Sequence, residues 1–214
     1  MDIIKNMCDT TKICFREPIP EIFDAAKYLD AAISAHLSGE NKIAEELIKL
    51  ADMPIIRDWV ESIWGKKSPY IKVKEIPNSP PKLIKEQRIK SRMPNASEKI
   101  QLQNRDGFHC RFCGVPVIRT EIRNELKKHY PNALMWGAKN IEQHPTFQAM
   151  WLQYDHILPH ARGGDNNLEN IVITCGPCNF GRMDSLIEEV GLSDPRLRSP
   201  IMSNWDGLER LLFR

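Results

Sequence analysis

Residues 153–179 read QYDHILPHARGGDNNLENIVITCGPCN, and this stretch decides the fold. It holds two histidines, two aspartates, the Gly163-Gly164 pair, four asparagines and Cys175-x-x-Cys178. WLQYDH and NIVITC predict two antiparallel strands joined by the loop around RGGDNN. NFGRMDSLIEEVG (179–191) predicts a helix closed by Gly191.

The cysteine pair has a counterpart upstream, Cys110-x-x-Cys113 in CRFCGVPV. In a reducing compartment two such pairs read as a zinc site rather than as disulfides. Four thiolates complete the tetrahedral shell and leave no position for a substrate, so the zinc is structural. Its binding free energy, on the order of 10 kcal/mol, would tie together segments separated by 61 residues. His109 is an alternative ligand that a complete shell does not require.

Asp155, His156 and Asn179 are surplus to that site. Asp155 is a hard oxygen donor of the kind Mg²⁺ and Mn²⁺ favour. Neighbours on a strand point to opposite faces, so Asp155 and His156 need a bend at the strand end to serve one centre. Pro159 and Gly163-Gly164 follow where such a bend is needed. Asn179 comes directly after Cys178, so the zinc would fix its position. Its bland reading is a cap on the helix that follows.

The set Asp155-His156-Ile157-x-Pro159, Gly163-Gly164, Leu168-x-Asn170-Ile171 and Cys175-x-x-Cys178-Asn179 resembles the HNH endonucleases. With the upstream knuckle, the resemblance covers about residues 100–190. It implies a ββα-metal fold, with His156 as the general base that activates water and Asp155 as a metal ligand. Asn170 matches the middle asparagine that braces the loop and the catalytic histidine, and Asn179 the second metal ligand. The catalytic ion it implies is Mg²⁺ or Mn²⁺, and the products are 5′-phosphate and 3′-hydroxyl ends. Two departures stand out: asparagine replaces histidine at 179, and Met183 stands where some members carry a further histidine. Water and substrate phosphate would then complete the shell.

Around this core the composition is that of a soluble globular protein, 42% hydrophobic and 27% charged. No signal peptide is legible and no apolar run could span a bilayer, so the expectation is a cytoplasmic protein with no membrane partner. Cys8 and Cys14 read as small buried hydrophobes. Charge is uneven. Residues 1–65 carry 7 basic and 12 acidic side chains, a net of −5, and residues 66–99 carry 10 and 3, a net of +7. Residues 100–214 balance at 13 and 13.

The expected fold class is α+β: an N-terminal helical bundle, then a zinc-stabilised ββα-metal, treble-clef-like nuclease core. Residues 1–64 form the acidic helical domain, 65–95 a basic Pro-rich linker with a short helix, and 96–214 the nuclease domain with a C-terminal extension. Apolar spacing predicts helix faces at Phe23, Ala26, Leu29, Ile33 and Leu37, then Ile43, Leu47 and Leu50, then Ile56, Trp59, Val60 and Ile63. Further helices are expected at 82–92, at 96–107 with Ser97 as cap, and at 120–130. Trp205, Leu208, Leu211 and Leu212 would anchor the C-terminus. His36 reads as a helix-surface or core-edge residue, and His129 and His144 as surface residues.

For nucleic-acid contact the candidates are Arg162, Arg182 and His160 beside the site, with Lys82, Lys85, Arg88, Lys90 and Arg92 from the basic band. The expected partner there is DNA. The acidic segment suits a protein partner, such as an ATPase, or a second copy of the chain. By analogy, HNH enzymes with such extensions resemble bacterial restriction and phage-defence effectors. The alternative is a non-catalytic, zinc-dependent nucleic-acid-binding or assembly module.

Overall fold

A computed structural model describes residues 12–64 and 68–213, so the expectations for Cys8, Lys66 and Lys67 lie outside the described residues. Three helices open the chain: α1 (Pro20–Leu37), α2 (Asn41–Leu50) and α3 (Pro54–Ile63). Pro20 and Pro54 stand in the first turns of α1 and α3, where a missing N–H costs nothing. The buried face of α3 is the expected one, Ile56, Trp59, Val60 and Ile63.

In α1 and α2 the buried face overlaps the expected one in part: Ala26, Leu29 and Ile33 are buried as expected, but the edges differ. Ile22, Ala25, Leu29, Ala32 and Ile33 are buried in α1 and Ala44 and Ile48 in α2, while Phe23, Leu37, Ile43 and Leu50 are exposed. α1 and α2 pack against each other, and the buried side of the pair mixes Ala25, Ala26, Ala32 and Ala44 with Ile22, Leu29, Ile33 and Ile48.

The helices share a core with the rest of the chain, since buried apolar side chains from Phe15 to Leu211 form one cluster. Arg57 on α3 donates to the carbonyls of Asn140 and Gln143 at 2.6 and 2.7 Å. His144 is buried, not on the surface as expected, and its Nε2 lies 3.2 Å from the Ile48 carbonyl. His36 is likewise buried, 2.6 Å from the Tyr130 hydroxyl.

The second half contributes α4 (Ala96–Asp106), α5 (Thr120–His129), α6 (Pro145–Ala149), β1 (Leu152–His156), β2 (Ile171–Cys175) and α7 (Gly176–Arg182). Helix α4 is capped by Asn95, not Ser97, in a capping box with Glu98, and Gly107 ends it with φ 67°. β1 and β2 pair antiparallel, with Asp155 opposite Val172 and His156 opposite Ile171.

Helix α7 begins three residues earlier than expected and is shorter, because Met183 takes φ 54° and breaks it. α7 leans on the N-terminal helices. Phe180 stacks on Trp64 with centroids 5.1 Å apart, and a Cβ at Gly181 would come within 3.1 Å of Ile63 Cγ2 on α3. The expected helix over 82–92 is only one turn at Lys85–Gln87; the rest is an extended strap held to the core. Leu208 and Leu211 anchor the C-terminus, whereas Leu212 is exposed.

Candidate active site

The four cysteines converge. Cys110, Cys113, Cys175 and Cys178 present sulfur atoms that all lie within 4.8 Å of one another. Cys113 and Cys175 sulfurs are 3.6 Å apart. A tetrahedron with Zn–S bonds of about 2.3 Å has edges of about 3.8 Å, whereas a disulfide would bring sulfurs to about 2.05 Å. The residues therefore fit a four-thiolate metal site and not a bridge. The first pair sits on a turn in which the Cys110 N–H donates to the Val115 carbonyl at 2.8 Å and Gly114 takes φ 79°. His109 is not part of the cluster. Cys14, the remaining described cysteine, is buried, and desolvation pushes its thiol up to about 12, consistent with an inert hydrophobe.

On the other side of the β2–α7 corner lies a cleft of about 690 Å³. Asp155, His156 and Asn179 all line it, together with Lys85, Arg88, Lys90 and Arg92 from the strap. His156 is the last residue of β1, so the chain turns at Ile157 and both Asp155 and His156 reach the same cleft.

Asn170 spans that turn. Its Oδ1 accepts from the Leu158 N–H at 2.8 Å, and its amide donates to the Asp165 carbonyl at 2.9 Å and the Leu158 carbonyl at 3.2 Å. Gly164 is required here, because a Cβ would come within 1.8 Å of the Leu158 carbonyl oxygen. Gly163 takes φ 90°.

Several candidates are engaged differently from expectation. Arg182 is 1% exposed and holds the Asp155 carboxylate with two nitrogens, Nε at 3.0 Å from Oδ2 and Nη2 on Oδ1. It also donates to the Ser185 carbonyl at 2.7 Å. Such a guanidinium is spent inside the protein and is not a phosphate contact. Arg162 is similarly committed, to Glu189, to the Asp184 carbonyl and to the Pro80 carbonyl at 2.7, 2.9 and 2.8 Å. His160 Nε2 bonds the Ile89 carbonyl at 2.8 Å and so ties down the strap. Lys82 pairs with Asp184 at 2.8 Å, and Arg88 donates to the Leu83 carbonyl from two nitrogens.

Asn179 is the fourth residue of α7, whose N-cap is Cys175. It is therefore not the helix cap. Its amide donates weakly to Gln153 Oε1 at 3.4 Å. His156 Nε2 lies 2.8 Å from Asn166 Oδ1, a partner the sequence did not single out among the three asparagines, 166, 167 and 170, of the β1–β2 loop. Arg182 carried a better signal, since residues three apart on a helix share a face and Asn179 was already a candidate beside Asp155.

Burial pushes the His156 imidazole below its ordinary value, against the opposing influence of Asn166 and Asp155. Burial pushes the Asp155 carboxyl up, with the Arg182 guanidinium pulling the other way.

Residues 140–182 match the family model described as HNH endonuclease. Over those residues the chain is similar to the HNH endonucleases. The matched residues span α6, β1, β2 and α7 and so include Asp155, His156 and Asn179 of the cleft and Cys175 and Cys178 of the cysteine site. No curated protein and no solved structure matches the chain. An HNH domain points to nuclease activity and divalent metal. Among the described residues no helix is long and apolar enough to cross a membrane.

Proposed function

We propose that this protein is a metal-dependent endonuclease that hydrolyses phosphodiester bonds in DNA. The observation that carries this reading is the convergence of His156, Asp155 and Asn179, all inside the HNH match, with four strap cations on one cleft. His156, kept neutral by burial, takes a proton from a water molecule as its oxygen bonds to phosphorus. The bond from phosphorus to the 3′ oxygen breaks, and that oxygen picks up a proton from solvent, leaving 5′-phosphate and 3′-hydroxyl ends.

Asp155 and Asn179 offer hard oxygen donors, and a carboxylate with two sites taken by an arginine keeps others free. Mg²⁺ or Mn²⁺ held there would neutralise charge on the phosphate and on the departing oxygen. Zinc in the four-cysteine site would fix the β2–α7 corner and hence Asn179. Exposed Lys85, Lys90 and Arg92 and half-buried Arg88 supply sequence-independent affinity for a phosphate backbone. The acidic helices at 12–64 suit a protein partner or a second copy, in keeping with an effector of restriction or phage defence in the cytoplasm.

One observation favours the second reading, a zinc-dependent module without catalysis: the Asp155 carboxylate is already in a buried pair with Arg182. Plasmid cleavage separates the two. Incubation with Mg²⁺ or Mn²⁺ should nick or linearise the plasmid, EDTA should stop it, and His156→Ala should lower the rate by ~10²–10⁴-fold with DNA binding retained. Equal cleavage by wild type and His156→Ala would rule out this mechanism.

A further inference from the structure

Asn166 lies between the catalytic strand and the basic strap. Its amide nitrogen is 3.0 Å from the Ser91 carbonyl, 3.1 Å from the Met93 carbonyl and 3.3 Å from Ser91 Oγ. Carbonyl oxygens only accept hydrogen bonds. Ser91 Oγ donates its own proton to the Met93 carbonyl at 3.1 Å, so it too turns lone pairs toward Asn166. Three acceptors therefore face one end of the side chain, and that end must be the NH₂ group. With the amide so oriented, Oδ1 points at His156 Nε2, 2.8 Å away.

An amide oxygen cannot donate, so the contact is a hydrogen bond only when Nε2 carries the hydrogen. In the other neutral tautomer two lone pairs would oppose each other at that distance. No hydrogen bond among the described residues engages His156 Nδ1. We propose that Asn166, oriented by residues 91–93 of the strap, holds His156 as the Nε2–H tautomer and so makes Nδ1 the proton-accepting atom. Asn166 is a positioning residue: it acts through His156 and does not itself need to touch substrate. The proposal rests on the nuclease reading for the use made of Nδ1, though not for the tautomer itself.

The arrangement also gives the strap a second task. It brings cations to the cleft, and through Asn166 it sets the state of the base. The strap is anchored beside that point by His160 on the Ile89 carbonyl and by the Leu83 N–H on the Ala161 carbonyl, both at 2.8 Å. Residues more than 70 positions apart in sequence, Ser91 and Asn166, thus define one imidazole.

The test uses the full-length zinc-loaded protein with ¹⁵N-labelled histidine. Long-range ¹H–¹⁵N correlation is recorded at about pH 8, above the ordinary histidine pKa of about 6.5, and the His156 signals are assigned by their loss in His156→Ala. Wild type should show a protonated Nε2 and an unprotonated Nδ1. Asn166→Leu removes the acceptor and should give signals averaged between the two tautomers, with kcat for plasmid cleavage lower by ~10–100-fold. Asn166→Asp keeps an acceptor toward Nε2 but sets its second carboxylate oxygen against the Ser91 and Met93 carbonyls, so it should keep the Nε2–H pattern, loosen the strap and recover only part of the rate.

A wild-type spectrum with hydrogen on Nδ1 overturns the proposal, as does an Asn166→Leu protein with unchanged pattern and unchanged kcat. Should Asn166→Leu fail to fold, the wild-type and Asn166→Asp spectra decide alone. An Nε2–H spectrum from a protein that cleaves nothing would sink the nuclease reading and leave the tautomer assignment standing. Metal-dependent cleavage with an Nδ1–H spectrum would do the reverse.

Discussion

The four-cysteine site and the His156 cleft meet at one corner, where Cys178 belongs to the first and Asn179, the next residue, to the second. They are built on opposite plans. The cysteine site is made of two local units, each a C-x-x-C turn, and three of its four cysteines are no more than 2% exposed. The cleft draws on the strap, on β1, on the turn after it and on α7, and it is open to solvent along a cationic wall. A shell whose chemistry is complete within short spacings needs only two segments to meet. The open cleft is held by contacts that span the chain.

The largest expected effect lies on the cysteine side. Cys175→Ser should lose bound zinc and, with it, folding free energy on the order of 10 kcal/mol, comparable to the whole stability of a typical domain. Metal analysis and a melting curve check this. Full zinc retention in the variant would break the contrast between a closed structural site and an open working one.

Arg182 joins the two regions from inside. Arg182→Met leaves the Asp155 carboxylate buried without its partner, which should cost about 3–5 kcal/mol in denaturant unfolding. Adding Asp155→Asn should recover much of that loss, because no charge is then stranded. Zinc content should not change. A single variant as stable as wild type would show that the pair does not hold the corner.

Asn179 gives a smaller and more selective effect. Since Cys175 is the N-cap of α7, Asn179→Ala should leave the melting temperature nearly unchanged while cleavage falls by ~10–100-fold, the range for groups that support a metal site. Asn179→His should keep measurable cleavage, with a changed preference among Mg²⁺, Mn²⁺ and Ni²⁺. An Asn179→Ala enzyme of full activity would remove the ligand role.

The mildest prediction concerns pH. His156 works as a base only when unprotonated, and burial lowers its pKa. Acidification should therefore reduce kcat with a midpoint below the ordinary histidine value of about 6.5, while zinc stays bound at that midpoint. A midpoint at or above that value in the pH–rate profile would count against a desolvated base.

Much of the cleft's chemistry was legible because its residues are bound to fixed offsets. Asp155 and His156 end a strand whose partner ends at Cys175, and Asn179 follows one turn into the helix. Arg182, His160 and Arg162 were legible as cations but not in their partners. A sequence shows that a guanidinium exists, whereas its burial against Asp155 depends on where α7 lies over β1. The faces of α1 and α2 differ from the apolar pattern at their edges, while Ala26, Leu29 and Ile33 are buried as that pattern predicts. Bulky Phe23, Leu37, Ile43 and Leu50 dominate a periodicity count, yet they are exposed while the small Ala25, Ala32 and Ala44 are buried.

The sequence by itself determined the ββα unit, the cysteine tetrad and the residues able to move a proton or hold a hard cation, because each is encoded within a few turns of chain. Only the tertiary structure decided what those residues face. It turned Arg182 inward, used His160 to anchor the strap, seated α7 on Trp64, and brought Asn166 between His156 and the strap. Hydrogen bonds are directional and reach about 3 Å, so partners 70 residues apart are chosen by packing, and no local pattern records that choice.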